Sequence, residues 1–134
     1  MKKIITALVA ASALVSGLAG TATAAAPAPE EGTHLHLSVS RTVDGQDETG
    51  NVWLDCPGIA RTGHPHPESA CAALDEAGGN FDALPGSPLT RCSDVHSPVT
   101  VTAQGTYQGR RVDWTRTYTN ECAAHAATGA VFDF

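Results

Sequence analysis

The sequence predicts an α+β fold: an antiparallel sheet of about five strands, two helices on one face, and two disulfides. Three observations carry that prediction. Two stretches of period-two alternation fold back at glycine-containing turns, two alanine-rich stretches carry helix signals, and four cysteines occur in a chain that opens with an export signal. Hairpins rather than crossovers join the strands, which points to an antiparallel sheet with its helices segregated to one side.

In chain order, residues 1–24 read as a secretory signal peptide. Lys2 and Lys3 precede an apolar run from Ile4 to about Ala19, and small residues follow with Ala-x-Ala sites ending at Ala24 and Ala26, so that cleavage falls at 24 or as far as 26. The run is too short for a comfortable membrane span. The mature chain is therefore expected outside the cell, as one small domain spanning residues 33–134 behind a flexible leader at 25–32, whose AAPAPEEG has nothing to bury.

From Thr33 the text alternates: Leu35, Leu37 and Val39 share one face, and His34, His36, Ser38 and Ser40 share the other. This is a half-buried strand. Asp44 to Gly50 reads as a turn and Asn51 to Cys56 as the returning strand. Pro57 to Pro67, with three prolines and two glycines, is loop. Pro67 to Ala77 opens with proline and an acid and stops at Gly78-Gly79, which are helix signals in the right order. Cys71 and Leu74 fall on one face of that helix.

Leu84 to Pro98 is proline-rich and irregular. A second hairpin follows, Val99 to Tyr107 and Arg110 to Thr119 around Gln108-Gly109, with Val112, Trp114, Arg116 and Tyr118 on one face. Glu121 to Ala127 is a short helix ended by Gly129, and AVFDF is expected as the last strand.

Charge and motifs exclude several function classes. Without Lys2 and Lys3, six arginines face fourteen acidic residues, a net charge of −8 that argues against nucleic-acid or anionic-membrane partners. Ser93, Asp94 and His96 lie within four positions in TRCSDVHSPV, but residues so close on one extended segment cannot converge as a catalytic triad. No Gly-x-Ser-x-Gly, His-Glu-x-x-His or phosphate-cradling glycine loop occurs, and no enzyme is expected. No cofactor is expected either. The four cysteines lack a Cys-x-x-Cys pair and sit in an oxidising compartment, which favours disulfides over zinc and leaves three pairings open.

The histidines offer a second reading. His34 with His36, and His64 with His66, have spacings at which imidazoles share a divalent metal, with His96 and His125 completing six. Exposed histidines on polar faces need no ligand, so no metal is assigned.

CPGIARTGHPHPESACAALDEAGGNFDAL resembles the first disulfide segment of the subtilisin inhibitors secreted by streptomycetes, with Cys-Pro, Gly-x-His-Pro-x-Pro, Ala-Cys-x-x-Leu and Gly-Gly in order and spacing. GTYQGRRVDWTRTYTNEC and the closing VFDF are similar to that family's second hairpin and C-terminus. The resemblance implies disulfides Cys56–Cys71 and Cys92–Cys122, a homodimer formed through sheet faces, and extracellular serine proteases as partners. It also implies a substrate-like loop with the reactive bond Asp94–Val95, flanked by Cys92, Ser93, His96, Ser97 and Pro98 and braced by Asn120.

One position departs from the family pattern. Where Asp94 stands, members commonly carry methionine, another apolar residue or lysine, so the expected target is either a subtilisin-like protease bound less tightly or a serine protease selective for acidic residues. The alternative function is a secreted binding protein on the same scaffold with weak or lost inhibition, chelating metal through its histidines.

Overall fold

The computed structural model describes residues 24–25, 32–57, 63–88 and 90–134. The signal segment and the leader lie outside these residues apart from Ala24, Ala25 and Gly32, as does most of the loop after Pro57. Among the described residues no helix is long and apolar enough to cross a membrane.

Strand β1 (Thr33–Val43) pairs with β2 (Gln46–Cys56), and β3 (Val99–Tyr107) pairs with β4 (Arg110–Tyr118). All pairings are antiparallel and the strand order is β2-β1-β3-β4. Both hairpins close through two residues with positive φ, Asp44-Gly45 and Gln108-Gly109. This is the mirror-image turn whose twist matches that of the flanking strands.

The alternation of β1 is realised: Leu35 and Leu37 are fully buried, while His34 points to the open face. Leu35 faces Leu54 on β2 and Gly105 on β3, and Leu37 faces Ala103. Gly105 has φ +135° and lies so close to β1 that an added Cβ would sit 2.2 Å from the His34 carbonyl oxygen.

Helix α1 (Pro67–Glu76) and helix α2 (Glu121–Thr128) cover the same face of the sheet. Ala70, Cys71 and Leu74 of α1 and Ala124 of α2 join Leu35, Leu37, Leu54, Val99 and Val101 in one core. Trp114 and Phe81 stack over its edge with ring centroids 5.2 Å apart. The disulfides are Cys56–Cys71, which ties β2 to α1, and Cys92–Cys122, each with its Cα atoms 5.6 Å apart.

Three expectations need correction. The sheet has four strands among the described residues, not about five, because AVFDF is not a strand: Gly129–Phe132 form a 3-10 turn. Val131 and Phe132 are adjacent and both buried, whereas neighbours along a half-solvated strand point to opposite faces. The first turn comprises two residues rather than Asp44 to Gly50. Residues 46–50 are exposed, yet they continue β2 through backbone pairing with β1.

Candidate functional site

The segment 90–98 enters β3 without regular secondary structure, and Ser93 through Pro98 are all exposed. Val95 is 64% exposed although its side chain is apolar. Such exposure on an irregular segment needs anchors, and four polar or covalent ties supply them.

The first is Cys92–Cys122, which fixes the start of the loop to the first turn of α2. The next two come from Asn120, the buried N-cap of that helix. Its side-chain Oδ1 accepts the Ala123 backbone N–H at 2.9 Å, the ordinary capping bond. Its Nδ2 then donates to the Ser93 carbonyl at 2.9 Å and to the Val95 carbonyl at 2.8 Å. Both amide hydrogens and the amide oxygen are thereby used, so one side chain is pinned at three points. The fourth tie is the Ser97 N–H donating to the Thr119 carbonyl at 2.9 Å.

The ties alternate with the presented residue. Ser93 and Val95 turn their carbonyls inward to Asn120, and Asp94 stands exposed between them. Among the described residues the Asp94 carboxylate makes no ion pair.

Support behind the loop is also fixed. Arg41 of β1 donates to both carboxylate oxygens of Glu121 at 3.1 Å, joining the sheet to the first residue of α2. On the approach to the loop, Ser87 donates its N–H to the Ala126 carbonyl at 2.7 Å. There Gly86, with φ +60°, comes so close that a Cβ would lie 2.3 Å from the same carbonyl oxygen. Helix α2 is thus a platform gripped by the loop at one end and by the preceding segment at the other.

All of the loop positions singled out in the sequence, Cys92 to Pro98 and Asn120, lie at one place. Ser93, Asp94 and His96 are all exposed on this one segment. Composition and spacing missed the Ser97–Thr119 bond, the Arg41–Glu121 pair and the Gly86 contact. Asn120 was expected here only through the family resemblance; the local signal that could have found its capping role is an asparagine directly before Glu121 and an alanine run, a helix N-cap pattern.

The histidines are dispersed. The His64 Nδ1 accepts the His66 N–H at 3.0 Å, which leaves the Nε2–H to donate to the Val131 carbonyl at 3.1 Å. Both ring nitrogens of this buried residue are engaged in structure. Burial pushes its imidazole below the ordinary histidine range of about 6.5, against a smaller opposing effect of the Val131 carbonyl. His34 pairs with Asp55 and stacks on Trp53, with centroids 4.5 Å apart; His36 lies 4.8 Å from the same ring. No group of three or more metal-ligating side chains occurs among the described residues.

The subtilisin inhibitor-like family pattern matches residues 31–120, two thirds of the chain. The chain belongs to the subtilisin inhibitor-like family. A subtilase-type protease inhibitor of Streptomyces fradiae is 42% identical over 130 residues, covering 95% of this chain and 92% of the relative. Kexstatin-1 of Streptomyces platensis is 36% identical over 146 residues, covering the whole of both chains. Among solved structures, Streptomyces caespitosus sermetstatin, crystallised in complex with Bacillus licheniformis subtilisin, is similar with a TM-score of 0.63 and 31% identity. That similarity covers 77% of this chain and 99% of sermetstatin. In this subtilisin inhibitor-like chain, the exposed segment held by Asn120 and Cys92–Cys122 is the candidate site.

Proposed function

We propose that the chain is a secreted inhibitor of extracellular serine proteases that presents Asp94–Val95 as a substrate-like bond. Residues 1–24 are its export signal, 25–32 its leader and 33–134 its inhibitory domain. The observation that carries this reading is the Asn120 amide, which holds the carbonyls on either side of Asp94.

A protease binds an extended segment through backbone hydrogen bonds, and a loop already ordered gives up little entropy on binding. The serine hydroxyl of the protease attacks the Asp94 carbonyl carbon: its oxygen forms an ester, the carbon–nitrogen bond of Asp94–Val95 breaks, and the hydroxyl proton passes through the protease's general base to the Val95 nitrogen, which leaves as an amine. In an ordinary substrate that amine diffuses away and water finishes the reaction. Here the Val95 carbonyl stays bound to Asn120, and Ser97 stays bound to Thr119. The amine is held beside the ester at high effective concentration, so resynthesis of the peptide bond outruns hydrolysis. The outcome is a long-lived complex in which the chain acts as a ligand rather than a catalyst.

Membership of the subtilisin inhibitor-like family supports this reading, as does the likeness to a protein crystallised with subtilisin. Arrangement as a homodimer through the open sheet face belongs to the same proposal. That face carries the exposed Trp53 between His34 and His36, and both helices lie on the other side.

Titration of the secreted protein against a panel of serine proteases tests the proposal. Residual activity of at least one should fall linearly to an equivalence point at one inhibitor chain per active site, with slow scission confined to Asp94–Val95 by mass spectrometry. Rapid cutting elsewhere, or no inhibition of any, would overturn it.

A further inference from the structure

We infer that the cognate protease carries a cationic group in its primary specificity pocket, which makes it a serine endoprotease that cleaves after acidic residues. The inference rests on the proposed reactive bond and adds the class of partner.

Asn120 and Cys92–Cys122 fix the backbone around Asp94, so the Asp94 side chain is the group that must enter the pocket. Its carboxylate arrives with no intramolecular partner among the described residues. Arg91, the nearest cation in sequence, forms no ion pair with it. The residues around the bond, Ser93, Val95, His96, Ser97 and Pro98, include no carboxylate, so the acidic character is confined to the one position that a pocket would read.

A pocket that encloses an aspartate must supply a charge or take the acid protonated. An aspartic carboxyl with a reference pKa of about 3.9 is protonated about one part in a thousand at pH 7, so an apolar pocket loses about a thousandfold in affinity before any contact is counted. A guanidinium, ammonium or imidazolium in the pocket removes that penalty and adds short charge-assisted hydrogen bonds. An apolar pocket of the subtilisin kind is the competing occupant, and the two make opposite demands on this side chain.

The test compares the secreted protein with Asp94→Met and Asp94→Glu at pH 7.5 against two probes, subtilisin and an endoprotease selective for glutamate and aspartate. The expected result is one-to-one inhibition of the acid-selective enzyme, at least about a hundredfold tighter than of subtilisin, because protonation alone sets a loss of about a thousandfold. Asp94→Glu keeps that preference and Asp94→Met reverses it. If the unsubstituted protein inhibits subtilisin within about tenfold of Asp94→Met, the charged-pocket inference falls and the reactive bond stands. The inference falls in the same way if Asp94→Met inhibits subtilisin while the unsubstituted protein leaves the acid-selective enzyme untouched. If no form inhibits either enzyme, the reactive bond itself is wrong and the inference falls with it.

Discussion

Asn120 is the residue on which loop and helix meet, and its two tasks can be separated. Serine caps a helix about as well as asparagine but is too short to reach the Ser93 and Val95 carbonyls. Asn120→Ser should therefore melt within a few degrees of the unsubstituted protein, yet be cut at Asp94–Val95 as an ordinary substrate, with inhibition weaker by about tenfold or more for the lost hydrogen bonds. Equal inhibition by both forms would remove Asn120 from the mechanism. His64 makes a different demand. Its imidazole is held below the ordinary value chiefly by burial, so the unfolded chain takes up the proton more readily in the window beneath about pH 6.5. Stability is complete above that window and declines as pH falls through it. The melting temperature should drop between about pH 7 and pH 5, and the drop should shrink in His64→Gln; parallel curves would refute the assignment. Neither residue declares its part in a linear reading. The cap pattern at Asn120 is local, whereas its bonds to Ser93 and Val95 span 27 and 25 residues and exist only once α2 has docked. For the same reason His64 resembles any polar loop residue until Val131 closes over it.

At the scale of elements, β1, the second hairpin and both helices were legible because each has its own period and stop signal. What was missed depends on partners. Gln46 to Gly50 has no buried side and so no alternation to read, and it is a strand only because β1 lies beside it. AVFDF has strand-forming composition but is drawn inward as a turn, where both Val131 and Phe132 find the core. The tie between the loop and α2 is likewise an element-level property. Cys92–Cys122 spans 30 residues, a separation for which the chain-entropy model gives roughly 3 to 4 kcal/mol. The paired variant Cys92→Ala with Cys122→Ala should unfold at correspondingly lower denaturant concentration and be digested within the loop. A midpoint unchanged from the intact protein would show that the crosslink carries no stability.

At the scale of the molecule, the sheet has one face packed by helices and one that no helix covers among the described residues. The uncovered face is rich in hydroxyls, with Ser40 bonded to Thr49 and Thr100 to Thr117, and Trp53 is its large aromatic group. If two copies join there, sedimentation should report twice the chain mass. Trp53→Asp should return a single-chain mass while one-to-one inhibition persists, because the loop belongs to the end of the molecule organised by α2. A native mass equal to one chain at micromolar concentration would refute the dimer. The strand order also decides what a severed loop would leave behind. A cut between Asp94 and Val95 would divide the sheet down its middle, with hairpin β2-β1 on the upstream fragment and hairpin β3-β4 on the downstream one. Cys56–Cys71 lies within the first fragment, but Cys92 belongs to the first and Cys122 to the second. A nicked molecule thus remains one covalent body, two interlocked halves zipped along the β1–β3 seam, until a reductant lets them part.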